Sequence, residues 1–204
     1  MRRKGHLIVI EGIDGTGKTT LGQALNERLI KNGHDSIFTF EPTDSPWGKR
    51  LRESFSHKER LPIEEEIYLF LEDRKDHINH LILPALNDGR IIVCDRYYFS
   101  TMAYQGARGI DIDKIRMENE AFAPIPDIMF ILELEPAIAL RRICEKRKSQ
   151  PNNFEEIDYL KRVAAIFKGL HDPFIKRLNA DRQQDEILAE AWEKTAACLG
   201  TLLY

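Results

Sequence analysis

No stretch of this sequence approaches the about 20 consecutive apolar residues that a membrane-spanning helix needs, so neither a span nor a membrane partner is expected. Internal repeats and low-complexity segments are also absent, which argues against solenoid and disordered classes. Charge of one sign is lacking too. Lys and Arg number 30 against 33 Asp and Glu, a net charge of −3, so nothing global points to nucleic acid as a partner. Only three cysteines occur (Cys94, Cys144, Cys198), far apart and without a Cys-x-x-Cys, which speaks against a zinc site or a disulfide framework. Met1-Arg2-Arg3-Lys4 has the charge of a signal-peptide start, but the apolar run behind it is short and enters a glycine loop. It reads as a strand, and a cytoplasmic protein is expected.

What is present suits a soluble globular chain: 204 residues, 43% hydrophobic and 31% charged, long enough to bury a sizeable core. Its most informative stretch is Ile8-Val-Ile-Glu-Gly-Ile-Asp-Gly-Thr-Gly-Lys-Thr-Thr20. An apolar run, Leu7 to Ile10, meets Gly-x-x-x-x-Gly-Lys-Thr, and Leu21, Leu25 and Leu29 then recur at helical spacing. Strand, glycine loop and helix together describe a phosphate-binding loop. Its residues Gly12, Ile13, Asp14, Gly15, Thr16 and Gly17 aim backbone N–H groups into one concavity beside the positive end of a helix. Lys18 reaches the outer phosphates, the Thr19 hydroxyl suits Mg²⁺, and Thr20 continues the helix start. A nucleoside triphosphate is the expected ligand.

Beyond the loop, Ser36 to Phe40 alternates as a strand and ends in the polar Glu41-Pro42-Thr43-Asp44-Ser45-Pro46. A short helix follows Pro46, with Arg50, Arg52 and Lys58 along it. Ile63, Ile67, Leu71, Ile78, Leu81 and Ile82 trace one helical stripe on which Arg74 falls, with Phe70 one turn earlier. A guanidinium on an inward stripe must be paired or face a cavity, and this observation alone leaves both open. His77 and His80 share helical spacing without a third ligand nearby and read as surface residues. Arg90 to Asp95 is a nearly continuous apolar run, as in a strand buried on both faces, and Asp95-Arg96 stands at its carboxyl end, where open parallel sheets place ligands. A helix broken by Gly106 and Gly109, a strand over 127–134, helices from Pro136 to Lys148 and from Phe154, a weak strand over 174–178 and a last helix from Asp185 complete the chain. The alternation implies one α/β domain with a parallel sheet.

At Asp95-Arg96-Tyr97-Tyr98-Phe99-Ser100-Thr101-Met102-Ala103-Tyr104-Gln105-Gly106 the chain resembles the thymidylate kinase family. The phosphate loop, Glu41-Pro42-Thr43, Phe70-x-x-x-Arg74 and the basic stretch around Arg142 and Arg147 match the family's other marks in order. The resemblance implies a nucleoside-monophosphate-kinase fold over residues 1–204, three layers around a five-stranded parallel sheet with a short helical lid at 141–155. It implies phosphoryl transfer from MgATP to dTMP, giving dTDP, by a fold that is usually a homodimer; no nucleic-acid partner is expected from the charge balance. Carried over, Phe70 stacks on thymine, Arg74 bonds its carbonyl edge, and Gln105 with Ser100 or Thr101 reads the base. Tyr104 crowds the sugar, Arg52 and Arg96 hold the dTMP phosphate beside Glu41 and Pro42, and Asp14 lies near the acceptor. Asp95 serves Mg²⁺ through water, and Arg142 and Arg147 belong to the lid.

Three positions depart from the family pattern. Phe40 stands where an arginine often precedes Glu-Pro, the loop has Gly15-Thr16 where some members carry a basic residue, and Asn153 replaces the usual lid arginine. Charge stabilisation then falls to Arg142 and Arg147, with Arg147 expected at the phosphoryl group and Arg142 against adenine. A weakly active nucleotide-binding relative, or a kinase for another nucleotide, stays open on the same residues.

Overall fold

The computed structural model describes residues 4–56, 61–147 and 153–200. Five parallel strands form one sheet in the order β2-β3-β1-β4-β5: β1 (His6–Gly12), β2 (Ser36–Phe40), β3 (Ile91–Asp95), β4 (Ile128–Glu133) and β5 (Ile175–Asn179). The chain starts in the middle, fills one side and then the other, so a crevice opens at the carboxyl ends flanking β1. β1, β3 and β4 are buried almost throughout, because helices cover both faces. Helix α1 (Lys18–Lys31) and α9 (Gln184–Leu199) pack together over the sheet, while α5 (Tyr98–Gly106) lies on β1 and against α8 (Asn153–Gly169). Leu7, Ile8, Val9, Ile10 and Leu25 are wholly excluded from water, each such side chain worth about 1.5–3 kcal/mol of burial.

Element boundaries match the sequence reading to within a few residues, with two physical differences. The 63–86 stripe is not one helix. It divides into α3 (Ile63–His77), a π-helical turn at Ile78–Ile82, and α4 (Leu83–Asn87). Pro84 has no N–H to continue the α pattern, and the widened turn precedes it. The second difference is α6 (Ile112–Glu120), which the sequence reading passed over. Asp111 caps it by accepting from the N–H groups of Asp113 (2.9 Å) and Lys114 (3.3 Å). Two further helices, α2 (Pro46–Ser56) and α7 (Pro136–Arg147), flank the carboxyl edge.

Candidate active site

The phosphate loop lies between two cavities. It leaves β1 through Gly12 at φ 139°, and Gly15 and Gly17 hold φ 84° and 91°, conformations open to glycine and strained for other residues. At Gly15 a Cβ would also sit 2.5 Å from the Ala139 carbonyl oxygen, so close packing of α7 on the loop requires glycine there. Helix α1 starts at Lys18 with no capping side chain and no acidic residue in its first turn. Its leading N–H groups therefore remain available to an anion. Lys18 is buried and its Nζ donates to the Ile13 carbonyl at 2.8 Å. Burial, reinforced by the Arg96 cation, lowers its pKa to about 8 against the pull of Asp14, Asp95 and Glu11.

Thr19 Oγ1 donates to Asp95 Oδ2 at 2.5 Å, while Asp95 Oδ1 is buried without a hydrogen-bond partner among the described residues. An orphaned carboxylate oxygen beside a hydroxyl, at the mouth of a phosphate loop, is the donor set a hard divalent cation takes.

The first cavity, about 600 Å³, opens beyond the ends of β1, β2 and β3. One wall is Arg96 with Asp14, joined by an ion pair from Nη2; Arg96 Nη1 donates to Ser100 Oγ at 3.1 Å. Tyr104 from α5 stands beside them, its hydroxyl accepting the Asp14 N–H at 2.9 Å and its ring 5.4 Å beneath the Arg96 guanidinium. The far end holds Phe70, with its ring 6.3 Å from Phe55, and Arg74, Thr101 and Gln105. Arg52 and Pro42 close the side, and Arg52 donates to the Pro42 and Thr43 carbonyls, both at 2.6 Å, and to Asp44 at 2.7 Å. Every acceptor-side residue expected from the sequence therefore meets in one chamber.

Arg74 is both paired and cavity-facing. Its Nε and Nη2 each reach Glu41 Oε2 at 2.8 Å, Nη1 donates to Asn119 Oδ1 at 2.6 Å, and Nη2 donates to Thr101 Oγ1 at 3.2 Å. His77 is not a surface residue. It is buried, with Nδ1 3.0 Å from Glu41 Oε1 and Nε2 2.7 Å from Thr39 Oγ1. The deep face of α3 is thus mainly polar (Glu66, Asp73, Arg74 and His77, with Leu69 the apolar member), while Ile63, Ile67 and Leu71 are only half-buried. Nor does His77 lack neighbours with ligand atoms, since Glu41 and Cys94 complete a buried triangle with it. Hydrogen bonds account for that cluster: Arg74, His77 and Thr39 serve its carboxylate and ring. Burial also holds the Cys94 thiol well above its usual pKa, and it donates to the Arg96 carbonyl at 3.0 Å. His80 is exposed, as expected, beside Asp76.

Gln105 is fixed by charged partners. Its Nε2 donates to Glu66 at 3.0 Å and its Oε1 accepts from Arg108 at 3.0 Å; Arg108 also donates to Glu66 at 2.7 Å. Glu66 only accepts and Arg108 only donates, so the amide has one orientation.

A second cavity, about 660 Å³, lies across the loop, walled by Gly15, Thr16, Gly17 and Thr20, by Arg142 from α7, and by the turn over 180–183 with the start of α9. Arg142 donates to the Ala180 carbonyl (2.9 Å) and to Asp181 (3.2 Å). The Arg147 side chain, and residues 148–152 of the expected lid, lie outside the described residues.

Two chambers joined by a phosphate loop, one with a cationic wall, fit donor and acceptor nucleotides meeting tail to tail. The family model for thymidylate kinase matches residues 10–191. The chain belongs to the thymidylate kinase family. It is 47% identical over 187 residues to the thymidylate kinase of Brachyspira hyodysenteriae, covering 92% of this chain and 91% of that one. The Desulfotalea psychrophila thymidylate kinase is 42% identical over 183 residues, 90% of each chain, and that of Akkermansia muciniphila 44% over 187, covering 92% and 89%.

Within this thymidylate kinase family member, sequence reasoning missed Glu11, Glu66, Arg108, Asn119, Tyr159 and the 180–183 turn, and misplaced His77 on the surface. Tyr159, on α8, donates its hydroxyl to the Tyr104 carbonyl at 2.9 Å and lines the first cavity. Only Glu11 carried a signal, as an acid closing the apolar run Leu7 to Ile10. No helix among the described residues is long and apolar enough to cross a membrane.

Proposed function

We propose that this chain transfers the γ-phosphoryl group of ATP to dTMP. An oxygen of the dTMP phosphate bonds to the γ-phosphorus as the bond from that phosphorus to the β–γ bridging oxygen breaks, giving dTDP and ADP. The observation that carries this reading is the first cavity, whose Arg96 end adjoins the phosphate loop while its Phe70, Arg74 and Gln105 end offers an aromatic face and fixed polar groups suited to a pyrimidine.

Phe70 stacks on the base, Arg74 and Thr101 meet its carbonyl edge, Gln105 reads it, and Tyr104 fills the space a 2′-hydroxyl would need. Arg96 takes the phosphate. Arg52 joins it by exchanging loop carbonyls for phosphate oxygens, and Ser100 serves the Arg96 end rather than the base, because its hydroxyl already meets Nη1. Glu41 acts behind Arg74, and Pro42 shapes the wall.

The loop from Gly12 to Gly17, with Lys18, Thr19 and Thr20, wraps the ATP phosphates, and Arg142 packs against adenine in the second cavity. Thr19, and Asp95 through water, would hold Mg²⁺, which would supply neutralisation of phosphate charge. Charge is the central problem. One pair of like unit charges at 4 Å costs about 4 kcal/mol at an effective dielectric of 20, and several pairs meet here. Lys18, Arg96 and a lid arginine, Arg147, offset them together, and Asp14 keeps Arg96 in place. We extend the reading to one domain over 1–204 with its lid at 141–155, working in the cytoplasm as a homodimer. The half-buried side of α3 (Ile63, Ile67, Leu71), beside exposed Tyr68, supports a second copy as the partner. Phosphorus NMR of the protein with MgATP and dTMP tests the reaction: dTDP and ADP should accumulate one for one, and ADP without dTDP would overturn it.

A further inference from the structure

Glu11 stands on β1 directly before the phosphate loop, and its side chain is fully buried. Both carboxylate oxygens serve one target. Oε1 accepts the Tyr97 N–H at 2.8 Å and the Ser100 N–H at 3.0 Å, and Oε2 accepts the Ser100 hydroxyl at 2.6 Å. Tyr97 is the cap residue of α5 and makes no side-chain cap of its own, so an acid from a strand closes the start of this helix.

The capped turn carries Arg96, which has φ 70° and is the one non-glycine residue with positive φ among the described residues. Such a conformation costs about 1–3 kcal/mol and persists only where the surroundings over-determine it. Here the Arg96 N–H donates to the Ile10 carbonyl at 2.9 Å, its own carbonyl accepts from Cys94 Sγ, and the next N–H, that of Tyr97, is held by Glu11. The guanidinium returns to the same point, because Nη1 donates to the Ser100 hydroxyl that donates to Glu11. Backbone and head group of Arg96 are both anchored to one carboxylate.

We infer that Glu11 is a positioning residue for the acceptor phosphate: through Tyr97 and Ser100 it fixes Arg96 with its guanidinium facing the first cavity. The inference rests on reading Arg96 as the phosphate ligand. Stability alone gives no reason for an acid here. Burial raises the Glu11 pKa to about 7, against the pull of the Ser100 hydroxyl, the Arg96 cation, the Tyr97 N–H and the Lys18 cation. A glutamine would keep an oxygen for both N–H groups without a buried charge.

The test compares dTMP with thymidine, which carries the same base and sugar and no phosphate. Dissociation constants for both ligands are measured for the wild type, Glu11→Gln, Glu11→Ala and Arg96→Ala, and the thymidine-to-dTMP ratio reads what the phosphate contributes. The ratio should fall at least tenfold in Glu11→Ala and at least threefold in Glu11→Gln, with thymidine affinity changed less than twofold and Glu11→Gln melting no lower than the wild type. Should Glu11→Ala fail to fold, Glu11→Gln carries the test alone. An unchanged ratio in Glu11→Gln, with the ratio lost in Arg96→Ala, overturns the role of Glu11. Equal loss of thymidine and dTMP also overturns it, since that reports only a loosened site. An unchanged ratio in Arg96→Ala instead overturns the reading of Arg96 and the inference with it.

Discussion

Arg74 and Glu41 form an ion pair, 2.8 Å between Nη2 and Oε2, in which both side chains are almost wholly excluded from water. Two buried charges at the floor of a cavity pay a desolvation cost that their attraction repays only with good geometry and further hydrogen bonds. Asn119, Thr101 and His77 supply those bonds. The pair therefore joins fold and recognition in one device.

Arg74→Leu should cost about 3–5 kcal/mol of stability, because it strands the Glu41 charge. Replacing both residues, Glu41→Leu with Arg74→Leu, should recover most of that loss while dTMP affinity stays weak and MgATP affinity stays normal. Thermal melts and titration calorimetry on the two variants check this. Normal dTMP binding by the double variant would remove Arg74 from base recognition.

Lys18→Ala should leave the melting temperature within a few degrees of the wild type, since the Nζ hydrogen bond among the described residues is a single one, to the Ile13 carbonyl. Turnover should fall far more than tenfold, a barrier increase above about 1.4 kcal/mol. Stopped-flow single turnovers that retain a tenth or more of the wild-type rate would contradict the role given to Lys18.

The lid arginine is tested by Arg142→Ala, Arg147→Ala and Asn153→Arg. Arg147→Ala should lower the single-turnover rate on the order of a thousand-fold with little change in MgATP affinity. Arg142→Ala should instead weaken MgATP binding, in keeping with its place on the wall of the second cavity. Normal rates in both alanine variants would remove the lid from charge stabilisation, and acceleration by Asn153→Arg would mark residue 153 as a lost contact.

Glu11 gives a pH signature. Its folded-state pKa, about 7, lies above the ordinary carboxylate value, so the native state holds a proton that the unfolded chain has released. Stability from this residue is full below about pH 4 and declines as pH rises through 7. Glu11→Gln should therefore melt above the wild type at pH 8 and level with it near pH 4. Parallel melting curves at both pH values would contradict a buried, titrating Glu11.

The sheet and the phosphate loop were legible because their physics is local: apolar runs, glycines at fixed spacing, helical periodicity. The deep face of α3 was not. Periodicity assumes that buried means apolar, and there the buried side carries Glu66, Asp73, Arg74 and His77 beside Leu69, with Arg74 on the cavity wall and the others bonded to residues around it, so the half-buried Ile63, Ile67 and Leu71 pointed away from the deepest face. Helix α6 has a poor apolar pattern, and overlooking it also hid Asn119, a partner of Arg74. Tyr159 and the 180–183 turn reach their cavities only through tertiary packing, which no spacing encodes.

The most direct measurement is kcat/KM with MgATP for dTMP, dUMP, UMP, CMP and thymidine in a coupled assay. A site that joins Arg96 at the phosphate to Arg74 and Gln105 at the base should rank dTMP first. It should accept dUMP at a cost of roughly tenfold to two-hundredfold for the missing methyl, turn over UMP and CMP weakly, and give no product from thymidine. Thymidine phosphorylated as readily as dTMP, or CMP preferred to it, would contradict the assignment.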